Sequence, residues 1–188
     1  GNRIGTDGNG TADQTERNVI SSNLRDGITI HGSGTRENSI AGNFIGVDQN
    51  GWRALGNSGS GIFLSDGASF NQIGSDENHI ADADEANVIS GNIDHGILIS
   101  GNTTQNNSIH GNRIGTDLKG TRSIGNQQTG ILIADGAHNN QVGSINTPNS
   151  IAFNASSGIA IRHTPSIDNR LRGNAIYGNG GLGIDLGL

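Results

Sequence analysis

Between Ser75 and Ala86 the chain sets Asp76, Glu77, Asp82, Asp84 and Glu85, five carboxylates within ten residues. Oxygen ligands gathered this densely suit Ca2+; the same composition also suits a solvated acidic loop. Asp94-His95-Gly96 places an acid next to a candidate general base. Arg113 and Arg170 are cations that could project outward from strands, and Lys119 is the only lysine. The candidate catalytic residues are therefore Asp94, His95 and Arg113, and the candidate metal ligands are the five acids. The other histidines (His31, His79, His110, His138, His163) fall in turns and loops and are expected at the surface. Asp48 and Asp117 each follow Ile-Gly-x and read as turn residues. The chain has no cysteine, so it has no disulfide framework, thiolate metal site or thiol nucleophile.

These side chains need a scaffold, and the composition limits its kind. The chain has 188 residues, with 32 glycines, 31% hydrophobic residues and 3% aromatics. A core of large aromatics is excluded. One domain over residues 1–188 is expected. The net charge of −6 argues against nucleic acid or an anionic membrane surface as partner. No apolar run approaches the ~18–20 residues of a membrane span, so no membrane insertion is expected. The chain starts at Gly1 and contains no methionine. It reads as a piece of a longer polypeptide.

Internal repetition decides the architecture. Gly42-Asn-Phe-Ile-Gly-Val-Asp48 returns as Gly111-Asn-Arg-Ile-Gly-Thr-Asp117, 69 residues on. Asn18-Val-Ile-Ser21 returns as Asn87-Val-Ile-Ser90 at the same offset. A Gly-Ile-x-(Ile/Leu) element starts at Gly27, Gly61, Gly96, Gly130, Gly158 and Gly183. An Asn-x-(Ile/Val/Leu) element starts at Asn38, Asn71, Asn107, Asn140 and Asn169. From Gly-Ile to the next Asn element the steps are 10 or 11 residues; the return steps vary from 14 to 25. Each element alternates with period two and is β-branched, so each is a short strand. Strands this short must stack coil on coil. The prediction is an all-β, right-handed, single-stranded parallel β-helix of about six coils. Three inward columns should fill it: Ile40, Ile73, Ile109, Val142 and Leu171; Ile20, Ile45, Ile89, Ile114, Ile151 and Ile176; and pairs from Ile28 with Ile30 through Ile184 with Leu186. Glycine and asparagine are assigned to corners of positive φ. The in-register asparagines are expected to hydrogen-bond along the axis.

The insertions should carry function. They alternate: residues 46–60 and 115–129 follow the second strand, whereas 75–86 and 144–148 precede it. In the Gly-Ile strands the outward positions are Thr29, Phe63, Leu98, Leu132, Ala160 and Asp185. Phe63, Leu98 and Leu132 make an apolar strip. It reads as a carbohydrate or partner contact, or as packing beneath a loop.

The motifs GNRIGTDLKGT at 111–121, NVISGN at 87–92 and GIx(I/L)xxGAxxNx(I/V)G at 61–74 and 130–143 resemble the parallel β-helix repeats of bacterial secreted and surface proteins, in the pectin-lyase-like superfold. The closing GLGIDLG at 181–187 resembles the end of such arrays. The resemblance implies an extracellular or cell-surface location. It implies a non-catalytic structural or adhesion module that binds polysaccharide or assembles with itself. The alternative it implies is a polysaccharide-active enzyme: a lyase, glycoside hydrolase or uronate epimerase. No cofactor is expected for the first reading, apart from Ca2+ at the acidic insertion.

Overall fold

The computed structural model describes residues 1–163 and 165–187. Six coils each give one strand to each of three parallel sheets. The first sheet holds β1 (Arg3–Gly5), β4 (Ser39–Ala41), β7 (Gln72–Gly74), β10 (Ser108–His110), β13 (Gln141–Val142) and β16 (Arg170–Leu171). The second holds β2 (Val19–Ile20), β5 (Phe44–Ile45), β8 (Val88–Ile89), β11 (Arg113–Ile114), β14 (Ser150–Ala152) and β17 (Ala175–Tyr177). The third holds β3 (Ile28–His31), β6 (Ile62–Ser65), β9 (Ile97–Ser100), β12 (Ile131–Ala134), β15 (Ile159–Ile161) and β18 (Ile184–Asp185). The chain is thus a parallel β-helix. The only helical element among the described residues is a short turn at Asp13–Thr15, so no helix is long and apolar enough to cross a membrane.

The pairing stacks like residue on like residue. Ile40 lies against Ile73, and Ile73 against Ile109. Ile45, Ile89, Ile114 and Ile151 form the second column, and Ile62, Ile97, Ile131 and Ile159 the third. All of these are buried in one continuous core. Removing them from water is what holds strands of two to four residues in place. The expected columns hold except at the last coil. Ile184 and Leu186 are exposed, and Leu186 lies beyond the end of β18. The sixth coil has a neighbour on one side only.

Polar corners also bind the coils to one another. Three asparagine ladders run along the axis, six residues each: Asn2-38-71-107-140-169, Asn18-43-87-112-149-174 and Asn23-57-92-126-154-179. One rung shows the rule. The backbone N–H and Nδ2 of Asn112 both donate to Asn149 Oδ1, at 2.9 and 3.1 Å. Nδ2 also donates to the Ile73 carbonyl at 2.8 Å. No buried side-chain nitrogen or oxygen among the described residues lacks a partner.

The corner assignment needs correcting in two respects. The ladder asparagines do not take positive φ; the residue before each first-sheet rung from Asn38 on does, at Glu37, Phe70, Asn106, Asn139 and Asp168. The glycine of the first five Gly-Ile elements (Gly27, Gly61, Gly96, Gly130 and Gly158) is needed for closeness, not for φ. A Cβ on Gly96 would stand 2.6 Å from the Gly130 carbonyl oxygen and 2.7 Å from Ile114 Cγ2. Real carbon contacts do not come that near.

The insertions decorate two edges. Residues 46–60 and 115–129 fold as β-hairpins, clasped by the antiparallel bridges Val47–Ala54 and Thr116–Ser123. They lie over the outer face of the second sheet. Phe44 and Val88 point outward there and are buried with Val47 and Ile124, with Leu118 packed against them. This outer apolar cluster was not anticipated from the sequence.

Candidate functional site

The acidic insertion proves to be one of two copies. Adding 69 to Asp7, Asp13 and Glu16 gives Asp76, Asp82 and Glu85. In each loop the three acids offer oxygens within 4.8 Å of one another. The internal hydrogen bonds also match. The N–H of Asp7 donates to Glu16 at 2.9 Å, and that of Asp76 to Glu85 at 3.0 Å. Asn9 and Asn78 each donate through Nδ2 to the preceding Asp, at 2.9 Å. The first copy was missed because its text, TDGNGTADQTE, has three acids rather than five. Burial, with Asp76 and Asp82 adding repulsion, pushes the Glu85 carboxyl up.

The other two acids of the run turn elsewhere. Asp84 accepts from Gln14 Nε2 of the first loop at 3.1 Å. Glu77 accepts from Thr147 Oγ1 at 2.8 Å and lies 3.8 Å from His110 Nδ1. Hydrogen bonding from Ser144, reinforced by Thr147, holds Glu77 below the usual carboxylate range. His110 departs from expectation, because it is buried. Its side chain at the end of β10 contacts Glu77 of one insertion of this edge and Gln141 of β13, the strand that leads to the other. Burial pushes its pKa down.

Asp94, His95 and Arg113 occupy two different sheets. Asp94 and His95 form the turn into β9 of the third sheet. The His95 ring accepts the Thr129 N–H through Nδ1 at 3.2 Å, and Nε2 lies 3.4 Å from Asp94 Oδ1. Burial lowers the His95 pKa, and Asp94 opposes the effect. Arg113 is on β11 of the second sheet. It lines a shallow cleft of about 240 Å3 with Asp82, Gly111 and Thr147. The structure thus puts Arg113 beside the acidic edge, apart from the Asp94–His95 turn.

Phe63, Leu98 and Leu132 stack in one register, between Thr29 on one side and Ala160 and Asp185 on the other. All three are half-buried. Ala160 is fully buried, and Asp185 is held by Arg162 at 2.8 Å.

The hairpins carry a further cluster. In each, an aspartate fixes the tip, as its turn position implied. Asp48 Oδ1 accepts the N–H groups of Trp52 and Arg53, at 2.8 and 3.2 Å. Asp117 Oδ1 accepts those of Thr121 and Arg122, at 2.7 and 3.0 Å. The N–H of Leu118 donates to the Gly51 carbonyl at 3.0 Å and ties the two tips together. Trp52 therefore sits beside the neighbouring hairpin, with Arg122 5.4 Å and Lys119 5.9 Å from its ring centre. Its ring remains 44% exposed. The sequence showed Trp52, Lys119 and Arg122 as isolated residues 67 and 70 positions apart; only the two-coil spacing of the hairpins brings them together. The chain matches no protein family, no curated protein and no solved structure.

Proposed function

We propose that this chain is a non-catalytic structural and adhesion module of a secreted or cell-surface protein, a member of the pectin-lyase-like superfold. The observation that carries the reading is the unbroken stack: three six-stranded sheets and three six-membered asparagine ladders, with the insertions confined to the edges. Such a body is a stiff ruler that displays loops at fixed spacing. Its expected ligands are carbohydrates, and it needs no cofactor to fold.

Self-association is part of the reading. Every ladder donates in the same direction along the axis. Asn2, Asn18 and Asn23 therefore face one end with their Oδ1 acceptors, while Asn169, Asn174 and Asn179 face the other with N–H donors. A further coil with asparagines in register fits either face, and a second copy supplies one. A head-to-tail contact of this kind does not close on itself.

The test is incubation with a panel of neutral and acidic polysaccharides, with and without Ca2+. The reading predicts co-sedimentation with some polymer and no new chain ends. Turnover of any of them would replace it with the polysaccharide-active enzyme.

A further inference from the structure

We propose that the paired hairpin tips form a binding site for an anionic sugar chain, centred on Trp52 and flanked by Arg53, Lys119 and Arg122. The proposal rests on the adhesion reading and gives it a place and a ligand class. Three observations converge. Trp52 is the only tryptophan, and it stands half-exposed at a hairpin tip, although the outer cluster on that face buries Phe44 and Val88. The side chains of Arg53, Lys119 and Arg122 make no ion pair among the described residues, in a chain of net charge −6. The two acids closest in the chain, Asp48 and Asp117, feel the charges of Arg53 and Arg122 but stand outside ion-pair distance of them, and each accepts backbone N–H groups of its own tip.

A flat indole among cations with no carboxylate in contact matches one kind of ligand. The C–H face of a pyranose covers the ring, and a carboxylate or sulfate on the same sugar meets a guanidinium or ammonium group. The geometry is also preformed. The Asp-centred turns, the antiparallel bridges and the Leu118–Gly51 hydrogen bond fix both tips before any ligand arrives, which lowers the ordering cost of binding. A nucleic acid shares the anionic groups and flat rings. Its continuous charge would be repelled by the rest of this acidic surface.

The single tryptophan makes the site its own reporter. The chain is titrated with a galacturonic-acid oligomer, a dextran sulfate oligomer and neutral dextran, following Trp52 fluorescence. A saturable change with one or both anionic sugars and none with dextran is expected; which one responds separates carboxylate from sulfate. The Lys119→Gln/Arg122→Gln variant should weaken binding by roughly tenfold or more. Arg25→Gln, at an exposed arginine in the segment leading into β3, should leave it unchanged. Trp52→Ala, followed by co-sedimentation, should weaken it likewise. An equal response to dextran, tighter binding of single-stranded DNA, or unchanged affinity in the double variant would overturn the site. Anionic sugar bound without a Trp52 response, and unaffected by these variants, would overturn the site and leave the adhesion reading standing. No binding to any sugar by either readout would remove the site together with the carbohydrate part of that reading.

Discussion

At the scale of single residues, asparagine and glycine carry most of the specificity. The first-sheet ladder was legible because its asparagines precede an apolar strand at steady spacing. The other two were not, although the signal was present. Asn38–Asn43, Asn107–Asn112, Asn87–Asn92 and Asn149–Asn154 are each five apart, and in the last coil Asn169, Asn174 and Asn179 show the bare unit without insertions. Because each rung serves several buried partners, Asn112→Ala should cost about 2–4 kcal/mol, read by denaturant unfolding. Gly96→Ala should also destabilise, by about 1–3 kcal/mol through the collision with Gly130 and Ile114. Phe70 makes the opposite case. It is exposed at φ 55, where Asn106 and Asn139 stand in the coils above. Phe70→Asn should stabilise by about 0.5–1 kcal/mol; a loss of stability would mean that the phenylalanine is held by contacts of its own.

At the scale of elements, local text does not fix a strand's place. GNRIGTD occurs at both 1–7 and 111–117. The first copy enters β1 of the first sheet and the second enters β11 of the second. The first and second sheets both accept an inward Ile two residues after a ladder Asn, so the strand text alone does not assign the sheet; the 10- or 11-residue step from the preceding Gly-Ile element marks the first-sheet strands from Asn38 on. The outer cluster was hidden for a similar reason. Phe44 and Val88 alternate outward, and period-two patterning sends such residues to solvent unless a hairpin covers them. Phe44→Ala should therefore cost about 3 kcal/mol, while Ile80→Ala at the exposed acidic edge should change stability by no more than about 0.5 kcal/mol. The acidic edge should respond to pH. The folded-state pKa of His110 lies below its ordinary 6.5, so the unfolded chain binds the proton first. Its contribution is complete above 6.5 and is lost as pH falls through the lowered value. Glu77, held below 4.5, acts in the same sense at lower pH. Glu85 opposes both: its raised pKa costs stability at high pH, and protonation relieves the cost as pH falls toward 4.5. Protection of the amides in 75–86 and 144–148, with exchange rates divided by the intrinsic rate at each pH, should fall as the wild type is acidified below 6.5, with a weaker dependence in His110→Gln. Identical pH curves would contradict the role given to His110.

At the scale of the whole molecule, each coil touches mainly its neighbours, so stability is a sum of coil and interface contributions. The parallel architecture was legible from the Gly-Ile and Asn spacing because only stacking lets such short strands bury their apolar faces. The hairpin site was not, because it depends on two insertions 69 residues apart meeting across an intervening coil. The central claim is that a rigid, ladder-bound stack carries separate loops at its edges. Hydrogen exchange followed segment by segment tests it most directly. Residues 61–65, 96–100 and 130–134, with the ladder asparagine N–H groups, should be the slowest in the chain and should open together, while 6–17 and 75–86 exchange earlier. Exchange of the Gly-Ile segments as fast as that of the loops would contradict the stack and the functional reading built on it.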